Sequence, residues 1–431
     1  MSHRRLPVAI VLSLLCWAGG VCGPVTPVHA QALLETVPEA VGLSSSRLQR
    51  LGAVLDQYVA DGRLAGGVVQ ISRRGKVAYL RSFGNRDREA EAAMSPDAIF
   101  RIASQTKAVV SVATLILQEE GRLLISDPVG KYIPEYLKTT VAVPRAEGGY
   151  DVVPAKRPIT IRDLLTHTSG VGYGGGVAKD KWEEAKITGW YFANRSEAIA
   201  QTVARMASLP FDAQPGEAYV YGYNTDILGA VLEKASGQSL DLLLQQKLFE
   251  PLGMTDTHFY LPGDKRERLA VVYGVDGEGL KRIPDDGGMA GQGEYVTGPR
   301  LSFSGGAGLL STAHDYGRFL QMLLDRGVSG GRRVLSRKTV ELMTVDHLGS
   351  VRFPWSNGTG FGLGFSVVED LGGRGTAGSV GEFGWGGAYH STYWVDPQEQ
   401  LVVVYFTQLL PAGSVDDHGK LRALVYAAIN D

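Results

Sequence analysis

Three short patterns in this chain carry side chains suited to acyl chemistry. The first is Ser104-Gln105-Thr106-Lys107. Residues three apart on a helix share a face, so the Lys107 amine can reach the Ser104 hydroxyl, and a serine at a helix start sits beside backbone N–H groups that favour an anionic oxygen. A lysine serves as a base only when burial or a nearby cation lowers its pKa. The spacing alone is weak, because a capping serine and a surface lysine produce it as well. The second pattern is Tyr221 in Pro215-Gly216-Glu217-Ala218-Tyr219-Val220-Tyr221-Gly222-Tyr223-Asn224, where a phenol near a second basic group could act as a base or relay a proton. Plain aromatic packing is the competing reading. The third is Gly384-Trp385-Gly386-Gly387-Ala388, whose glycines let the backbone approach a ligand and aim N–H groups at an oxyanion. An ordinary turn would look the same.

These groups need elements to hold them. Leu48, Leu51, Val54, Leu55 and Val59 keep a helical period over residues 44–61, and residues 66–84 alternate as a hairpin about Arg73-Arg74-Gly75. Val109, Val112, Ala113, Ile116 and Leu117 predict a buried helix over 104–120, stopped by Gly121. Further helices are expected over 196–207, 225–236, 239–249, 313–325 and 420–429, and strands over 362–368, 389–395 and 401–407. Strands near both ends imply one sheet built from the two termini. Glycine- and proline-rich connections such as 172–176 and 285–293 mark the middle, and no fixed repeat appears.

The chain has 431 residues, 44% hydrophobic and 20% charged, enough for a large core. Lys+Arg at 43 against Asp+Glu at 45 leave no basic excess for a phosphate backbone, so nucleic acid is not expected as a partner. Arg4 and Arg5, an apolar run from Leu6 to Val21 and the small-residue spacing of Val28-His29-Ala30 predict a secretory signal over residues 1–30, cleaved near Ala30 to release a periplasmic or secreted protein with no membrane span. Both cysteines, Cys16 and Cys22, fall inside it, leaving no disulfide framework. Gly327-Val328-Ser329-Gly330-Gly331 matches a nucleophile elbow, but that motif needs a strand before the serine, and residues 315–325 read as helix. No metal-binding H-x-x-H spacing occurs, and neither metal nor cofactor is called for.

In order along the chain, Ser104-x-x-Lys107, Leu164-Leu165-Thr166-His167-Thr168-Ser169-Gly170, the Tyr221 motif, Pro251-Leu252-Gly253-Met254 and Trp385-Gly386-Gly387 resemble the class C β-lactamase-like serine hydrolases. The Trp-x-Gly form looks most like the family VIII carboxylesterases. The resemblance spans residues 40–430. It implies an α+β fold of the serine β-lactamase/DD-peptidase type. An antiparallel sheet domain would come from residues 31–135 and 293–431, and a mainly helical, indeed all-helical, region over 136–292 would cover the cleft. It further implies Ser104 as the acylated nucleophile, Lys107 and Tyr221 as its proton-transfer pair, and the backbone N–H groups of Ser104 and Ala388 as the oxyanion hole. Trp385, Gly386, Gly387, Tyr223 and Asn224 would meet substrate, and His167 would hold a loop.

Two departures from the lactamase pattern bear on substrate. Tyr221-Gly222-Tyr223 stands where those enzymes carry Tyr-x-Asn, with Asn224 one place late, and Trp385-Gly386-Gly387 stands where they carry Lys-Thr-Gly. The amide and the cation that would grip an acylamino carboxylate are displaced or lost, unless Arg374 or His390 restores the charge. Both departures favour a small-molecule ester. The alternatives are a β-lactamase, D-amino-acid peptidase or acyltransferase using the same site, or an inactive binding domain.

Overall fold

The structure, a computed structural model, describes residues 33–276, 279–286 and 288–431. The segment read as a secretory signal, with Cys16 and Cys22, lies outside the described residues.

Ser44 caps α1 (Ser45–Ala60) by accepting a hydrogen bond from the Arg47 N–H at 3.3 Å, as its place before an apolar-periodic run predicts. The hairpin follows as β1 (Gly66–Arg73) and β2 (Lys76–Asp87), turning at Arg74-Gly75 with both residues at positive φ. Near the other end lie β3 (Thr359–Phe361), β4 (Ser366–Val368), β5 (Phe383–Gly387), β6 (Ser391–Asp396) and β7 (Leu401–Thr407). They join the hairpin in one sheet with the order β2-β1-β7-β6-β5-β4-β3, and Leu34–Glu35 adds in parallel at the β2 edge. The pairing of β7 with β1 sets Val403 opposite Ile71 and Tyr405 opposite Val69. Because side chains alternate, these four face α1 and the last helix, α5 (Asp417–Ala427), while Val68, Val402, Val404 and Phe406 belong to the core on the other face. That second face packs on α4 (Ala313–Leu324) and, beyond it, α2 (Thr106–Glu119). Each fully buried apolar side chain contributes about 1.5–3 kcal/mol, which is how a chain without disulfides in its described part holds together.

Several expectations shift. Residues 362–368 are not one strand: Gly364 has φ +99, and the Gly362 N–H donates to the Phe365 carbonyl, so 362–365 form the turn between β3 and β4 and only Ser366–Val368 is strand. The turn's apolar residues Leu363 and Phe365 are buried in the core rather than in the sheet. The Trp385-Gly386-Gly387 segment is a strand, β5, and the following strand begins at Ser391 rather than Tyr389. Between residues 136 and 292 the region is not all-helical. Helix α3 (Asn224–Ser236) and shorter helices share it with a three-stranded sheet of Thr140–Pro144, Tyr150–Pro154 and Pro210–Phe211, where Val141, Val143, Val152 and Val153 favour extended backbone. Helix also continues past Phe249 to Leu252 through a π-type turn. Among the described residues no helix is long and apolar enough to cross a membrane.

Candidate active site

The chain reaches Ser104 through a constrained turn. Ala103 has φ +42, a left-handed value that an L residue adopts only at a cost of about 1–3 kcal/mol, and a 3-10 turn over Ala103–Gln105 runs into α2. Neighbours hold it from both sides. The Ile102 N–H donates to the Leu309 carbonyl at 3.1 Å, Thr106 Oγ1 accepts from the Leu309 N–H at 3.0 Å, and Gln105 Nε2 donates to Ser391 Oγ at 3.0 Å. Ser104 is thereby presented to a cavity of about 500 Å³.

One helical turn on, Lys107 is buried, with 2% of its surface exposed. Its Nζ lies 3.3 Å from Ser104 Oγ, 3.0 Å from the Tyr173 hydroxyl and 2.7 Å from the Gly306 carbonyl. The Gly306 backbone is itself pinned, since its N–H donates to Asp226 Oδ1 at 3.1 Å and Ser304 Oγ donates to the same oxygen at 2.6 Å. A Cβ at Gly306 would come within 2.3 Å of the Asp226 carboxylate, so the close approach requires glycine. Burial pushes the Asp226 carboxyl above its ordinary value, against the pull of Lys107 and the two donors. His167, also buried, has its pKa pushed well down by burial and by the Lys107 charge. It stays neutral at pH 7, packs its ring 4.7 Å from that of Tyr221, and accepts the Val220 N–H on its carbonyl.

Tyr221 lies against the amine by its ring face, 4.6 Å from Lys107 Nζ to the ring centroid. Its oxygen accepts the Trp385 indole N–H at 3.1 Å. The phenol that bonds the amine is Tyr173, which sequence reasoning missed. Its one signal was its place between glycines in the 172–176 connection. Burial raises the Tyr173 pKa well above the ordinary phenol value, so it remains a neutral hydroxyl.

Trp385, Gly386, Gly387 and Ala388 line the cavity with Ser104. A Cβ on Gly387 would sit 2.5 Å from the Ile102 carbonyl, so glycine lets β5 lie against the segment leading to Ser104 and brings Ala388 to the same cavity. Trp355, 57% exposed, packs 5.2 Å from Tyr221 and 5.5 Å from Trp385 between ring centroids. With Trp190, Tyr173, Tyr221 and Trp385 it gives the cavity an aromatic side.

Two expected substrate contacts do not reach this cavity. Asn224 is fully buried at the start of α3, its oxygen accepting from Ser169 Oγ and its amide donating to the Val171 and Val220 carbonyls. Tyr223 is fully buried too, stacked 5.7 Å from Trp182 and donating to the Gly189 carbonyl at 2.6 Å. Of the two residues considered as replacement cations, Arg374 is bound to Glu382 at 2.9 Å, whereas His390 lines the cavity. Ser329 lies in a two-residue strand, Val328–Ser329, paired with Arg332–Arg333 and not followed by a helix, so the nucleophile-elbow context is absent there.

A cavity-facing serine with a buried lysine one helical turn on, beside a sheet built from both ends of the chain, defines a serine hydrolase, and the chain belongs to the Beta-lactamase family, whose model matches residues 51–427. Among its relatives, Protein Rv1367c of Mycobacterium tuberculosis is 36% identical over 373 residues, covering 82% of this chain and 88% of that protein. Esterase EstB of Burkholderia gladioli is 32% identical over 386 residues, covering 86% and 93%. The solved structure of EstCE1, a hydrolase with promiscuous acyltransferase activity, superposes with a TM-score of 0.76 at 28% identity, covering 88% of this chain and 98% of that one.

Proposed function

We propose that this enzyme is a carboxylesterase working through an acyl-enzyme on Ser104. The observation that carries this reading is the 3.3 Å approach of the buried Lys107 amine to Ser104 Oγ at the edge of an aromatic cavity. Ser104 Oγ attacks the ester carbonyl carbon as its proton passes to the Lys107 amine, which Gly306 and Tyr173 hold in place. The carbonyl oxygen gains negative charge beneath the N–H groups of Ser104 and Ala388, each such donor contributing about 2.7–4 kcal/mol to the barrier reduction. Tyr221 lies with its ring face on the amine, 4.6 Å from Nζ to the centroid, where it favours the cation the amine becomes on accepting the proton. When an acceptor releases the acyl group, Lys107 returns its proton to Ser104 Oγ.

Indole in place of a cation favours neutral, apolar ester groups over a β-lactam carboxylate, and the kinship with an esterase supports the same preference. Secretion through a signal cleaved near Ala30 is part of the proposal, and N-terminal sequencing of the exported protein checks it. The chemical test is a fluorophosphonate probe followed by mass spectrometry. Label is expected on Ser104 and abolished by Ser104→Ala, whereas label on Ser329 would end the reading. Parallel assays with a short p-nitrophenyl ester and a chromogenic cephalosporin are expected to rank the ester first. The opposite ranking would make the protein a lactamase.

A further inference from the structure

Sequence spacing scatters the histidines, but folding sets His390, in the turn after β5, beside the first turn of α5. His390 Nε2 lies 2.6 Å from Asp417 Oδ1, and Asp417 Oδ2 accepts the Tyr405 hydroxyl at 2.7 Å. The Asp417 side chain is completely buried. Burial alone would raise its carboxyl, but the hydrogen bond and charge of His390, with His418 and Tyr405, outweigh that and hold it below its ordinary value. An anion there keeps a hydrogen on His390 Nε2, so Nδ1 is the nitrogen that can gain or lose a proton. His418 stacks on the other ring face, 4.1 Å between centroids and 15° between planes. Nearly parallel rings direct their in-plane lone pairs side by side, which does not suit convergence on one metal ion. His390 is also held at φ +59, a strained value that its surroundings must enforce. Both His390 and His418 line the cavity that contains Ser104. Among the residues lining it, His390 carries an acid–base group with its own buried carboxylate and is not part of the Lys107 cluster.

We infer that the His390–Asp417 pair handles the proton of the alcohol side of the reaction, with His390 as a catalytic residue and Asp417 positioning it. In acylation the imidazolium gives the Nδ1 proton to the leaving oxygen as the bond from that oxygen to the acyl carbon breaks. In deacylation the neutral ring takes a proton from water, or from an acceptor alcohol, as the new carbon–oxygen bond forms. Lys107 carries the Ser104 proton out and back, so both groups end each cycle as they began. The inference rests on Ser104 being the acylated residue.

His390→Gly is the informative variant, since glycine is unstrained at this φ and leaves room for added imidazole. p-Nitrophenolate departs without a proton and an alkoxide does not. The pre-steady-state burst with a p-nitrophenyl ester should therefore stay within about threefold of the parent, while its steady-state turnover and kcat/KM for the ethyl ester of the same acid each fall about 100-fold. Imidazole should restore both, and Asp417→Asn should reproduce the leaving-group dependence more weakly. Turnover unchanged in His390→Gly, an equal loss of burst and turnover without imidazole rescue, or a rise in KM alone would each overturn the inference. Failure of the parent enzyme to acquire acyl mass at Ser104 would instead refute the reading beneath it.

Discussion

Tyr173→Phe tests the local geometry most directly. It removes one oxygen and leaves the ring in its edge-on contacts with Tyr221 and Tyr223, at 5.8 and 4.9 Å between centroids. Lys107 Nζ would keep two of its three partners, Ser104 Oγ and the Gly306 carbonyl, and lose the third, at 3.0 Å. A hydrogen bond to a charged group is worth about 1.5–3 kcal/mol, and 1.36 kcal/mol is a factor of ten, so kcat/KM should fall about 10- to 150-fold if the bond persists in the transition state. The loss should appear in kcat rather than KM, because Tyr173 acts on the amine and not on bound substrate. The assay is steady-state hydrolysis of a p-nitrophenyl ester, with thermal unfolding as a control for folding. A kcat/KM within twofold of the parent, in a variant of unchanged melting temperature, would show that the Tyr173 phenol does not hold the amine.

Gly306→Ala should push the new methyl into the Asp226 carboxylate, 2.3 Å away, costing about 1–3 kcal/mol of stability and displacing the carbonyl that Lys107 donates to; chemical denaturation and ester turnover should fall together. Trp355→Ala, at an exposed position, should alter the unfolding free energy by less than about 1 kcal/mol yet raise KM for bulky aromatic esters more than for acetate esters, and equal effects on both would remove Trp355 from the binding wall. His258 and His418 are each depressed to about 4, chiefly by burial. A depressed histidine contributes stability that is present above its unfolded value of 6.5 and lost as pH falls toward about 4, so the urea midpoint should decline across that window, and His258→Gln should flatten the decline.

Much of this architecture was legible along the chain. Helical period and a serine cap announced α1, and short β-branched and apolar runs on either side of Arg74-Gly75 announced the β1–β2 hairpin, because both signals are local and lie within a few residues. Ser104 and Lys107 were legible for the same reason, since one turn of helix joins them. The strand boundaries after residue 359 were not. Leu363 and Phe365 are apolar because they pack in a core, and the backbone turn at Gly364 is set by contact with Ser111 on α2, 2.3 Å from where a Cβ would lie.

Composition and local spacing by themselves determined a large cysteine-free core beyond the N-terminal segment, a serine with a lysine on one helix face, and a glycine-rich segment able to approach a ligand. Only the tertiary structure decided which polar groups meet there. Tyr221, Tyr223 and Asn224 are close neighbours in sequence, yet the entry into α3 turns the first toward Lys107 and buries the other two in the protein interior. Tyr173, Gly306 and His390 lie 66, 199 and 283 positions beyond Lys107, and no local pattern encodes their arrival. Their placement depends on the packing of whole elements, in which a single glycine or a buried carboxylate such as Asp226 or Asp417 fixes a contact that sequence spacing does not reveal.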